Sequence, residues 1–203
     1  MLVSDEKAEQ VFRKVAAVQG HIRQYALSTE SLKLSVEDLQ WSIGDMYGIS
    51  ITKKEVSFDA SHVRGMVERY ANNTAIIYIR ADQPDDWKRF VCTKELCHIL
   101  IDEEEDWSAA GTTTIDALIY ESNIQSTELA SAQAQSETFA LLAAQELVYP
   151  HRYRHADVKR LTEKRTTIKK IALEHGVPDF AVGRSLHSAY LEIATELWAK
   201  INP

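Results

Sequence analysis

The period-two patterning of this chain is confined to residues 49–79, and helical periodicity lies on both sides of it. A chain that segregates its strands in this way cannot build alternating βαβ layers, so the fold class is α+β, with helices packed around a small mixed or antiparallel sheet. Ile49 to Phe58 alternates loosely. Val63 to Tyr70 reads as a second strand with Gly65 as a bulge, Asn72-Asn73 as a turn, and Thr74 to Ile79 as a strong β run. Three short strands this close in sequence predict a meander. Upstream, Val11, Phe12, Val15, Val18 and Ile22 recur at helical spacing from Asp5 to about Ser28, with Ser4 as a cap. Ser35 opens a second helix, with Asp38 three positions on and Gly48 at its stop. Trp87 to Ile101 and Thr127 to Val148 predict two long helices, the second closed by Pro150. Val158 to Asn202 predicts two or three more. With 203 residues and 45% apolar side chains, the chain can bury a substantial core.

The formal net charge of −7 argues against a protein that coats nucleic acid over its whole surface. No apolar run approaches the roughly 20 residues needed to cross a bilayer. Met1 to Glu9 is charged and carries no signal-peptide core, so the expected location is cytoplasmic. Cys92 and Cys97 sit in one helical stretch with poor geometry for a mutual disulfide, and are expected to be reduced and buried.

Chemistry concentrates in Arg89-Phe90-Val91-Cys92-Thr93-Lys94-Glu95-Leu96-Cys97-His98-Ile99-Leu100. Two histidines in His-Glu-x-x-His share one helix face and bind one zinc, and the glutamate between them activates the bound water. This chain has Lys-Glu-x-x-His. Taken alone, Glu95 and His98 read as a solvated pair or as a hydrogen-bonded core histidine.

The order of several segments resembles the ImmA/IrrE family of metallopeptidases. Leu39 to Ile51 with Gly48-Ile49, the run Ala75-Ile76-Ile77-Tyr78-Ile79, the pair Arg89-Phe90, and Ala144-Gln145-Glu146-Leu147-Val148-Tyr149-Pro150 follow one another as in that family, over roughly residues 36–150. The resemblance implies a zincin-like core at 35–150, preceded by an N-terminal helix at 1–34 and followed by a helical segment at 151–203. It also implies Glu95 as general base and His98 as a metal ligand. Two positions depart from the pattern. Lys94 replaces the first histidine, and an ammonium repels a metal ion. The family's third ligand is a glutamate on the helix before the proline, and counting back from Pro150 places that position at Phe139. Phe139, Ala143 and Leu147 then form an apolar stripe. Glu137 is the nearest carboxylate, but two residues amount to about 200° of rotation, which turns it away. No cofactor is therefore expected. Zinc held by His98 and Glu137 is the alternative.

Other features carry less. Cys97 and His98 are neighbours on a helix and diverge by about 100°, so they make no nucleophile–base pair. Glu103-Glu104-Glu105-Asp106 reads as a solvated loop. Arg152 to Lys170 holds eight basic residues against Asp157 and Glu163, and runs into Ala172…Gly176…Val182 at helix-turn-helix spacing. The second helix of that pair offers Asp179, Phe180 and Ser185, thin equipment for reading a major groove. The expected function is that of a pseudoenzyme, a divergent metallopeptidase-like protein, inactive or weakly active as a peptidase, that acts by binding a protein partner. The resemblance makes that partner a transcriptional repressor, in a mobile element or stress response. An active zinc endopeptidase and a DNA-binding regulator are the alternatives, contact with nucleic acid being the less favoured.

Overall fold

The computed structural model describes residues 5–25, 34–59, 63–103 and 132–201. Their elements run α1 (Asp5–Tyr25), α2 (Val36–Tyr47), β1 (Ser50–Val56), β2 (Gly65–Tyr70), β3 (Thr74–Arg80), α3 (Asp85–Ile101), α4 (Ala132–Val148), α5 (His151–Thr162), α6 (Ile168–His175), α7 (Asp179–Ser185) and α8 (Ser188–Ile201). The fold is α+β around a small mixed sheet, as the segregated patterning requires. The periodic residues of α1 are buried as a stripe: Val11, Phe12, Val15, Val18 and Ile22. Ser35 caps α2 by accepting from the Asp38 backbone N–H, and Gly48 ends it in the left-handed region at φ 64°. Ser4, residues 127–131 and the Glu104–Asp106 part of the acidic run lie outside the described residues.

The sheet is not the expected meander. Its order is β1-β3-β2, with β1 parallel and β2 antiparallel to β3. Local alternation marks which residues form strands, but pairing is decided by what each strand buries, which short-range patterning does not carry. The central strand β3 buries Ala75, Ile77 and Ile79. Helix α3 packs on β2 and β3, and α2 on β1. Gly65 is no bulge but the first residue of β2, where α3 passes so close that a Cβ would lie 2.4 Å from Val91 Cγ1.

Three helices, α6, α7 and α8, begin within the 158–202 span, where the sequence predicts two or three, and a further one, α5, begins ahead of it, directly at His151. They share cores with the rest: Ala194 and Leu197 join the cluster built on α1, α3 and α4, while Ile171, Ala172, Val177, Ala181 and Val182 pack with Phe90, Val148 and Tyr149. A fully buried ion pair ties the two parts. Arg154 Nη1 donates to Glu146 Oε1 at 2.6 Å, and Tyr190 Oη and Trp198 Nε1 donate to the same carboxylate at 2.9 and 2.8 Å. No described helix is long and apolar enough to cross a membrane.

Candidate functional site

Helix α3 is packed between the sheet and α4, so from Phe90 to Ile101 every residue is buried except Lys94. Lys94 thus marks where α3 opens to solvent. Its ammonium lies 2.8 Å from Glu137 Oε2 on α4 and 3.0 Å from Glu95 Oε1. The other Glu137 oxygen stands 3.3 Å from His98 Nε2, in contact but not aligned as a hydrogen bond. His98 is 6% exposed. Its Nδ1 meets Asp102 Oδ2 at 2.8 Å, one helical turn on, and Ser136 Oγ, 3.2 Å from Nδ1, donates to Asp102 Oδ1 at 2.7 Å. The Arg69 guanidinium of β2 donates to the His98 carbonyl.

Lys94, Glu95, His98 and Glu137 are therefore brought together, and Phe139 is not. Phe139 is 3% exposed in the core against α1, with the Lys7 ammonium over its ring. The expectation that Glu137 turns away and Phe139 faces the site is corrected. The 200° between them is real, but the apolar stripe is the wrong guide. Helix α4 is buried on several sides, and Phe139, Ala143 and Leu147 face the core while Glu137 faces α3. Asp102 and Ser136 were missed by sequence reasoning. The signal for Asp102 was its place four residues after His98 on the same face. Nothing in the sequence singled out Ser136.

Charge in the cluster is mutually held. Burial opposes the Lys94 ammonium, but Glu95 and Glu137 outweigh it and hold the group above its ordinary value. Burial likewise opposes charge on His98, yet Asp102 and Glu137 raise it to about 9, so the ring is an imidazolium at neutral pH. For Glu137, burial raises the carboxyl, and Lys94 and His98 more than offset that and leave it well below the usual carboxylate range. Burial pushes the Cys92 thiol up to about 12 and Cys97 well above its ordinary value, so neither is a nucleophile at neutral pH.

A pH dependence follows. A histidine whose folded value is raised stabilises fully below its unfolded value near 6.5, and that contribution is lost as pH rises through about 9. Unfolding free energy of the wild type is expected to fall between pH 7 and 9.5 by on the order of 2 kcal/mol more than that of His98→Gln. Identical pH profiles from denaturant titration of the two proteins would remove this assignment.

As it stands, the donor set does not fit zinc. A zinc site needs three protein lone-pair donors at least. Here the first is an ammonium engaged by two carboxylates, and His98 Nε2 faces the Glu137 carboxylate at 3.3 Å. Among the described residues, no three or more His, Cys, Asp and Glu side chains are placed to hold a metal ion. An open cavity of about 450 Å³ lies elsewhere, lined by Ser35, Lys53, Glu55, Lys88, Arg89 and Cys92 among others. Its lysines are paired, Lys53 with Glu37 and Lys88 with Glu55.

Comparison with curated proteins finds no match. Comparison with protein families matches residues 46–187, more than half of the chain, to Peptidase_M78, the IrrE N-terminal-like domain. The matched span runs from the end of α2 through the sheet, the α3–α4 cluster and the Glu146–Arg154 pair to the end of α7. The chain belongs to this IrrE N-terminal-like family and is a metallopeptidase-like protein.

Proposed function

We propose that this protein is a member of its family that does not hydrolyse peptides and acts by binding a protein partner, with a transcriptional repressor as the partner that the family resemblance suggests. The observation that carries the reading is the Lys94 ammonium, 2.8 Å from Glu137 and 3.0 Å from Glu95. It supplies the positive charge that a metal ion would otherwise bring to these carboxylates. Glu95, which would have to be free to act as a general base, is engaged by that ammonium. Binding a repressor without cutting it is then enough to sequester it.

One observation favours a second reading. Glu95, His98 and Glu137 do converge, so a zinc peptidase that displaces Lys94 is the competing function. Elemental analysis of protein purified without chelator, with mass spectrometry of a peptide mixture incubated with it, decides between them. The expected result is less than about 0.1 zinc per chain and no new peptide termini. About one zinc per chain together with cleavage would make the zinc peptidase the better reading.

A further inference from the structure

Of the eight cations between Arg152 and Lys170, three are neutralised within the fold. Arg154 is buried on Glu146. Arg160 bonds Asp157 at 2.7 Å and Glu174 at 2.7 and 2.8 Å. Arg165 pairs with Glu163. Arg152, Lys159, Lys164, Lys169 and Lys170 remain exposed and make no ion pair among the described residues. Lys170 acts electrostatically on Glu174, but Glu174 is committed to Arg160.

Four of these five gather at one corner. Lys159 lies in the last turn of α5, Lys164 in the five-residue link, and Lys169 and Lys170 in the first turn of α6. The Arg160–Glu174 pair bridges α5 and α6. One turn on from Lys169 and Lys170, Leu173 projects from α6 with 76% of its surface exposed, while Ile171, Ala172 and His175 are buried on the opposite face. The corner therefore carries four exposed lysines and, one turn on along α6, an exposed leucine, on a chain whose net charge is −7.

We propose that this corner docks a protein surface that is acidic and carries an apolar socket for Leu173. Complementary charge steers such a partner to the lysines, and Leu173 adds contact that salt does not screen. A nucleic-acid duplex fits less well. It answers the lysines with phosphates but offers no socket to the leucine. In the helix-turn-helix arrangement, α7 would enter the groove, yet Asp179 opens it and Phe180 is stacked on Trp87 at 5.0 Å and edge-on to Phe90 at 5.1 Å. This inference rests on the partner-binding reading only in taking the partner to be a protein.

Fluorescence anisotropy of the full chain tests it with three probes: a glutamate-rich peptide carrying one leucine, the same peptide with glutamine for glutamate, and a 20-base-pair duplex of random sequence. At about 50 mM NaCl the acidic peptide is expected to bind about tenfold tighter than its glutamine version. Lys164→Glu/Lys169→Glu/Lys170→Glu is expected to lose about tenfold, and Leu173→Ser about fivefold with the salt dependence unchanged. Thermal melts confirm that these surface variants fold. Equal affinity for the two peptides, or an acidic-peptide affinity that Leu173→Ser leaves unmoved, overturns the proposal. Duplex binding tighter than acidic-peptide binding also overturns it, in favour of a nucleic-acid contact. Zinc and cleavage are measured on the same preparation. A zinc-loaded, cleaving protein that still discriminates the peptides overturns the function proposed above and leaves this surface standing; a metal-free, inert protein that does not discriminate does the reverse.

Discussion

Lys94→His is expected to convert the cluster into a zinc site by itself. Histidines at 94 and 98 would share one face of α3 one turn apart, and Glu137 already stands 3.3 Å from His98 Nε2. Removing the ammonium frees the Glu137 carboxylate it now engages and leaves Glu95 in place beside the new ligand. Zinc binding is expected to rise from undetectable to an apparent Kd of about 1 μM or tighter, and peptide cleavage to appear with it. Counting back from Pro150 puts the third ligand at Phe139, but the structure brings Glu137 and not Phe139 to the cluster. Phe139 is in the core against α1, so a glutamate there adds no ligand and loses on the order of 4 kcal/mol from aromatic burial and carboxylate desolvation. Titration calorimetry and melting curves of both single variants check this. A folded Lys94→His protein that takes up no zinc would show that α3 and α4 are spaced for an ammonium and not for a metal.

The second large effect is expected far from the cluster, at Glu146. Its carboxylate is fully buried and receives hydrogen bonds from Arg154, Tyr190 and Trp198. Glu146→Ala leaves the Arg154 guanidinium buried without its counter-charge and strands two further donors, at a cost of about 4 kcal/mol. Glu146→Leu combined with Arg154→Met removes the orphaned charge, and is expected to lose less than Glu146→Ala alone. Denaturant unfolding of the three proteins completes the comparison. A double variant less stable than Glu146→Ala would mean that the pair contributes net stability beyond avoiding an unpaired ion. The segment Ala144 to Pro150, which carried part of the family resemblance, thus has a structural reason. Glu146 and Tyr149 hold Arg154, while Gln145 bonds the Ala181 carbonyl and Ser185 Oγ on α7, so this stretch ties α5, α7 and α8 to the rest of the fold.

Much of this was fixed by local sequence. The α1 stripe from Val11 to Ile22, the Ser35 cap, the Gly48 stop and the strand from Thr74 all follow from interactions within a few residues, and appear as expected. The placement of Glu95 and His98 beside Lys94 is local in the same sense, because helix geometry alone sets which residues share a face or follow by one turn. Other features required the tertiary structure. Strand alternation cannot say that β3 lies between β1 and β2, since pairing depends on what packs across the sheet. An apolar stripe identifies the facing side only of a helix buried on one side, and α4 is buried on several, so Glu137 rather than Phe139 reached the cluster. Charge counts likewise left open which cations of 152–170 are neutralised, because Arg154, Arg160 and Arg165 look no different in sequence from the lysines beside them. Only the fold supplies Glu146 and Glu174 across a helix–helix contact, and so separates the cations that hold this protein together from those it leaves facing solvent.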